Sequence, residues 1–209
     1  MGSEFNADWF DENFYRGGKG SIRDKESPFY RMFVNRVIET FGEEEYKGLQ
    51  LLDCGCGLGI RTNIYICQGF DAFGIDISKW AHENHVLEEG HHECVDLRWI
   101  PDGLFGIEKF DLLSVERVMG YIPKRDAQKV VKNLVKLTKK NIIFSIICSD
   151  HSGSEAVLRG SPGRINIAPK KFWLEIFKKA GLIVNGEKTA IMCKSDWDCV
   201  WFLEKENVS

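Results

Sequence analysis

The residues in this chain best placed to do chemistry are clustered in a ten-residue stretch, "LLDCGCGLGI", Leu51 to Ile60. An acid, Asp53, is followed by Gly55, Gly57 and Gly59, with Cys54 and Cys56 between them. The four residues Leu51 to Cys54 read as a buried strand, so the glycines turn the chain at its end. Three chemistries compete for such a turn: a metal clip through the two thiols, a dinucleotide site, or a site for another nucleoside. The thiol clip is the weakest, because only one residue separates Cys54 from Cys56 and zinc motifs space their cysteines by two to four. A dinucleotide turn asks for G-x-G-x-x-G, and Ile60 stands where its third glycine belongs.

Charge sharpens the choice. A pyrophosphate would be opposed by Asp53, whereas an ammonium and a sulfonium would be favoured by it, and S-adenosylmethionine (SAM) carries both. Two further acids fall in order. Asp76 ends "FGID", 21 residues after Gly55, where a carboxylate accepts both ribose hydroxyls. Asp96 ends "CVDL", where it can accept the adenine amino group while Ile77 and Leu97 sandwich the ring. The plainer alternative is that the glycines only close a turn and the acids only cap one.

These residues lie on an alternating pattern. Helical periodicity covers about Ser27 to Phe41, Ile60 to Gln68, Lys79 to Glu89, Asp126 to Thr138 and Lys170 to Ala180. Strands read as "LQLLDC", "DAFGID", "HECVD", "FDLLSV" and "NIIFSIIC". Two β-rich stretches, Leu182 to Cys193 and Asp196 to Glu204, suggest a closing antiparallel hairpin across Lys194-Ser195. Alternation of this kind implies an α/β chain with a mostly parallel sheet and helices on both faces, binding ligands past the carboxyl ends of its strands.

With the glycine turn, Asp53, Asp76 and Asp96 in this order, the stretch from about Leu49 to Glu204 resembles the class I SAM-dependent methyltransferases. The resemblance implies a Rossmann-like seven-stranded sheet ending in an antiparallel C-terminal hairpin. It implies SAM as cofactor, S-adenosylhomocysteine (SAH) as product, no metal, and Glu116 after the fourth strand among the cofactor contacts. "SVERVMG" lacks the Asn/Asp-Pro-Pro-aromatic loop of DNA and RNA amine methyltransferases and is closer to small-molecule enzymes. "DWFDENFYRGGKGS" is similar to the leading segment of SAM enzymes acting on sugars and glycans. On that likeness a sugar or glycan hydroxyl is the expected acceptor, with Tyr15, Arg159 and Arg164 contacting it.

A hydroxyl of high pKa needs a base or a metal to become nucleophilic. His151 in "CSDHS" is the expected base, with Asp150 orienting it or acting in its place; Mg²⁺ on Asp150 is the alternative left open. His82, His85, His91 and His92 sit on a helix and at a strand start, away from the ligand edge; they could in principle make a metal cluster, but read as solvated surface residues. Two rival functions remain: an N-methyltransferase of a small amine or protein side chain, and a non-catalytic SAM-binding regulatory subunit.

Composition bounds the rest. The 209 residues suit one domain. Residues 1–5, "MGSEF", read as a vector remnant, 6–47 as a helical and loop segment covering the site, and 48–209 as the core. A net charge of −3 and modest pairs such as Lys139-Lys140 offer no footprint for nucleic acid. Seven cysteines with no CxxC pair suit free thiols in a reducing compartment. Without a signal peptide or a run of about 18 apolar residues, a cytoplasmic protein without membrane contact is expected.

Overall fold

The computed structural model describes residues 6–18, 23–42, 44–151, 163–193 and 199–206. A short 3₁₀ turn (Ala7–Trp9) and helix α1 (Glu12–Tyr15) precede α2 (Pro28–Glu39). The core then runs β1 (Gln50–Cys54), α3 (Ile60–Gln68), β2 (Asp71–Asp76), α4 (Lys79–Glu83), β3 (His92–Cys94), β4 (Phe110–Glu116), α5 (Ala127–Leu137) and β5 (Thr138–Ile146). It closes with α6 (Lys170–Lys179), β6 (Leu182–Val184), α7 (Gly186–Met192) and β7 (Cys199–Lys205). No helix among the described residues is long and apolar enough to cross a membrane.

Seven strands form one sheet in the order β3-β2-β1-β4-β5-β7-β6. The first five are parallel, and β7 runs antiparallel between β5 and β6. Central strands are buried on both faces, which is why β1 and β4 read as continuous apolar runs. One core packs α5 and α6 against one face through residues such as Val130, Leu134, Trp173 and Phe177. The other packs α2 and α3 through Phe33, Val37, Ile64 and Tyr65. A third, smaller cluster joins Phe10, Phe14 and Tyr15 of the N-terminal segment to Leu58, Ala81 and Tyr121.

From β1 the chain winds outward to β3, then returns to the other side of β1 as β4. That reversal opens a crevice past Cys54 and Glu116, where such sheets hold their ligands.

The boundaries depart furthest from the sequence reading in two places. The stretch expected as the first arm of a hairpin is a three-residue strand followed by α7. Asn185 caps that helix, its side chain accepting the Lys188 N–H at 3.0 Å. The strands are still antiparallel neighbours; Lys194-Ser195 lies outside the described residues. Helix α4 stops at Glu83, where Asn84 donates its side-chain amide to the Trp80 carbonyl at 2.8 Å. The chain that follows is therefore irregular up to β3.

Candidate active site

The glycine turn is held from below by β2. The N–H groups of Gly55 and Cys56 both donate to the Ile75 carbonyl, at 2.7 and 3.1 Å. Gly55, Gly57 and Gly59 have φ of 77°, 57° and 76°, the left-handed region that side chains disfavour. A Cβ on Gly55 would come within 2.2 Å of the Val118 side chain, so this glycine lets the turn meet the loop after β4. One on Gly57 would meet the ring of Tyr15 at 3.0 Å.

Asp76 ends β2 nearly buried and accepts one N–H on each oxygen, from Gly57 and from Ser78, both at 2.9 Å. Burial raises its carboxyl above the ordinary range, opposed by those two backbone donors and by the Tyr15 hydroxyl. The Tyr15 bond is long, 3.4 Å. A carboxylate offers about four lone-pair positions, so Oδ2, with Gly57 alone, keeps room for a further donor, and Oδ1, shared by Ser78 and Tyr15, gains it when the long Tyr15 bond yields.

Asp53 takes a different part from the one its charge suggested. It is fully buried, ion-paired to Arg61 of α3, and accepts the Thr62 hydroxyl at 2.9 Å. Arg61 bridges onward to Glu116 at the end of β4. Burial works against the guanidinium charge, but the two carboxylates override it and hold Arg61 charged. Asp53 therefore turns its charge inward, beneath the glycine turn, and presents none to a ligand.

A cavity of about 310 Å³ lies over these strand ends. On its β2–β3 side are Gly55, Gly57, Asp76, Ile77, Asp96 and Leu97. Asp96 is gripped by Arg98, whose Nη2 approaches to 2.7 Å. On the β4 side are Glu116, Arg117 and Tyr121, with Phe10, Phe14, Arg23, Phe29 and Tyr30 from the N-terminal segment, while Tyr15 of that segment lies over Gly57. Arg117 has φ 59°, a strained setting for a non-glycine residue, pinned by its N–H bond to the Ser145 carbonyl at 2.8 Å. Its guanidinium lies over Phe29, 4.4 Å from the ring centre. Arg164 covers Tyr121 at 4.8 Å and donates to the Arg117 carbonyl at 3.1 Å.

A family model described as a methyltransferase domain matches residues 27–184. The chain belongs to that family. The ubiquinone biosynthesis O-methyltransferase of Coxiella burnetii is 24% identical over 147 residues, 66% of this chain. The chain spans 61% of that relative's length. Among solved structures, the magnesium protoporphyrin IX methyltransferase of Synechocystis PCC 6803 with bound SAH superposes with a TM-score of 0.68 at 19% identity, covering 96% of this chain and 98% of that one. An N-methyltransferase from Bradyrhizobium japonicum WM9 gives 0.58 at 16% identity, covering 86% and 95%. Both share its fold.

This member of the family brings together Gly55, Gly57, Asp76, Ile77, Asp96, Leu97, Glu116, Tyr15 and Arg164 on one cavity. Tyr15, expected at the acceptor, lies instead over the glycine turn and stacks on Trp80 at 5.3 Å. Gly59 is outside the cavity lining, in the turn that starts α3. Asp150 and His151 are outside it too. The Ser149 N–H bonds the Ala168 carbonyl, so the exit from β5 is drawn toward the start of α6. There Asp150 accepts the Lys170 N–H at 3.0 Å. Arg159 lies outside the described residues. The sequence reading missed Arg61, Arg23, Arg117 and the Phe29–Tyr30 pair. A charged residue at the second position of the apolar run "IRTNIYI" was the available signal for Arg61.

Proposed function

We propose that this chain is a SAM-dependent O-methyltransferase whose acceptor is a small ring-bearing molecule with an oxygen that ionises readily. The observation that carries the reading is the cavity's β4 side, ringed by aromatic side chains and carrying Arg23, Arg117 and Arg164. The residues present suit SAM: Asp76 stands at the end of β2 for a ribose diol, Asp96 lies just past β3 for the adenine edge, shared with the Arg98 guanidinium, and Ile77 and Leu97 supply the ring faces. SAM supplies an activated methyl group on sulfur. The chain's own work is to align the acceptor oxygen and exclude water.

Deprotonation is where the lining discriminates. No histidine lines the cavity among the described residues. Asp76 is bonded to backbone amides, Asp96 to Arg98 and Glu116 to Arg61. Burial raises the phenols of Tyr15 and Tyr30 above their ordinary value, so both stay protonated. An alcohol of high pKa would find no histidine there and, of the carboxylates, only Glu116 Oε1 without a hydrogen bond, itself 3.2 Å from Arg117, whereas a phenol, near pKa 10 in water, would be drawn toward its anion by Arg23 and Arg164 beside that pair. This favours an acidic hydroxyl over the sugar or glycan that the N-terminal segment suggested. The Coxiella relative's name, an O-methyltransferase of ubiquinone biosynthesis, agrees with oxygen as the target.

The test is SAH release from SAM with polyhydroxylated aromatic acids, glycans and small amines as separate acceptors, using wild type and His151→Ala. Turnover of the aromatic acids with a near-normal rate in His151→Ala is expected. A loss of about a hundredfold or more would return His151 to the role of base, and turnover of glycans or amines alone would overturn the acceptor.

A further inference from the structure

Three histidines from two separate parts of the chain meet behind the glycine turn. His82 is in the last turn of α4, His85 follows the helix, and His92 opens β3. One ring nitrogen from each lies within 4.8 Å of the other two. His92 is buried, with Nε2 3.0 Å from the Gly57 carbonyl. A carbonyl only accepts, so Nε2 carries the proton and Nδ1 keeps its lone pair. That lone pair faces Nδ1 of His82 at 3.1 Å. A ring held by a backbone carbonyl on one nitrogen, with the other free to ligate, is the usual posture of a metal-binding histidine. The His85 ring stacks on His92, centroids 4.7 Å apart and 1° from parallel. Its Nδ1 is enclosed and makes no hydrogen bond, although the Leu87 backbone lies close enough to favour the charged form. A single His82–His92 hydrogen bond would explain two of these rings and not the convergence of the third.

We propose that His82, His85 and His92 form a site for a transition-metal dication such as Zn²⁺, linked to cofactor binding through the His92–Gly57 bond. Three imidazoles and a water complete a tetrahedral set at about 2.0–2.1 Å. Ligand atoms then sit about 3.3 Å apart by that geometry, so the three rings close in and His85 leaves its stack. His82 is exposed and has room to move. A cation on Nδ1 withdraws electron density from the His92 ring and strengthens its donation to the Gly57 carbonyl. The Gly57 N–H is in turn bonded to Asp76. The metal takes no part in methyl transfer; only the linkage rests on the cofactor reading above.

Calorimetry on metal-free protein, titrated with Zn²⁺, should show one site. A Co²⁺ adduct should lack thiolate charge-transfer absorption, which separates this site from the free cysteines. The double variant His82→Ala/His85→Ala, outside the cavity, should weaken Zn²⁺ binding by about tenfold or more. Saturating Zn²⁺ should change SAH affinity by about fivefold or more in wild type, and not in the double variant. Unaltered Zn²⁺ binding in the variant, or thiolate bands with Co²⁺, would overturn the site. Equal SAH affinity with and without Zn²⁺ would overturn the linkage. Failure of the metal-free protein to bind SAH at all would instead count against the cofactor reading, while the Zn²⁺ isotherms still judge the site.

Discussion

Asp76 carries Gly57 on one oxygen and Ser78 on the other, and so fixes both the turn beneath a ligand and the start of α4. A ribose diol would add two charge-assisted hydrogen bonds, each worth about 1.5–3 kcal/mol. Asp76→Ala should therefore weaken SAH binding by at least about tenfold, measured by calorimetry. Unchanged affinity would remove Asp76 from the cofactor site. At this scale the sequence was legible where a residue's role follows from its place at a strand end: Asp76, Ile77, Asp96, Leu97 and Glu116 all reach one cavity. Asp53 lies beneath the turn and off the cavity lining, a placement not legible in the sequence because charge alone does not say which way a side chain points. Its partner Arg61 is eight positions away, on the next element, and pairs a residue on β4 as well. Such a three-way contact has no signature in spacing. The same holds for the arginines lining the β4 side, whose positions depend on loops rather than on periodicity.

At the scale of elements, the Asp53–Arg61–Glu116 chain ties β1, α3 and β4 together directly under the ligand edge. A buried pair of this kind adds little net stability, but removing one partner leaves uncompensated charge behind. Arg61→Met should cost about 3–5 kcal/mol and lower Tm by roughly 10 °C or more in a chain of this size, followed by thermal unfolding. Neutralising the two acids as well, as Asp53→Asn and Glu116→Gln, should recover much of the loss. A Tm within a degree or two of wild type for Arg61→Met alone would show that the three groups are not energetically coupled. Element types were well read from the sequence, because parallel strands buried on both faces leave continuous apolar runs and α5 leaves a clean stripe. The exceptions were short. In α7 the cap Asn185 and the apolar pair Ile191–Met192 are compatible with either a strand or a helix, and the cap decided it. The shortened α4 reflects Asn84, a residue that bonds its own backbone as readily as it continues a helix.

Across the whole molecule, the N-terminal segment connects the β4 side of the cavity to the glycine turn. Phe10, Phe14 and Tyr121 make edge-on ring contacts at 5.0 to 5.9 Å. Arg23 reaches back over the Phe14 ring at 4.1 Å and donates to the Phe14 carbonyl at 2.9 Å. Tyr15 lies over Gly57 and reaches Asp76. This segment therefore rests on the same turn and acid that a ligand would touch. A ligand that binds against it should hold it down, because opening then requires losing ligand contacts as well as ring packing. Trypsin cuts at Arg16 and Arg23 only when the segment lifts, since a protease needs an extended chain. SAH at about a hundred times its Kd should stabilise the closed segment by up to about 2.7 kcal/mol, slowing cleavage at both sites by as much as about a hundredfold, while cleavage at exposed Lys47 stays unchanged. Phe14→Ala should raise the cutting rate without SAH and reduce the protection SAH confers. Equal cleavage at Arg16 and Arg23 with and without SAH, read by mass spectrometry, would show that the segment opens independently of the cofactor and does not cover it.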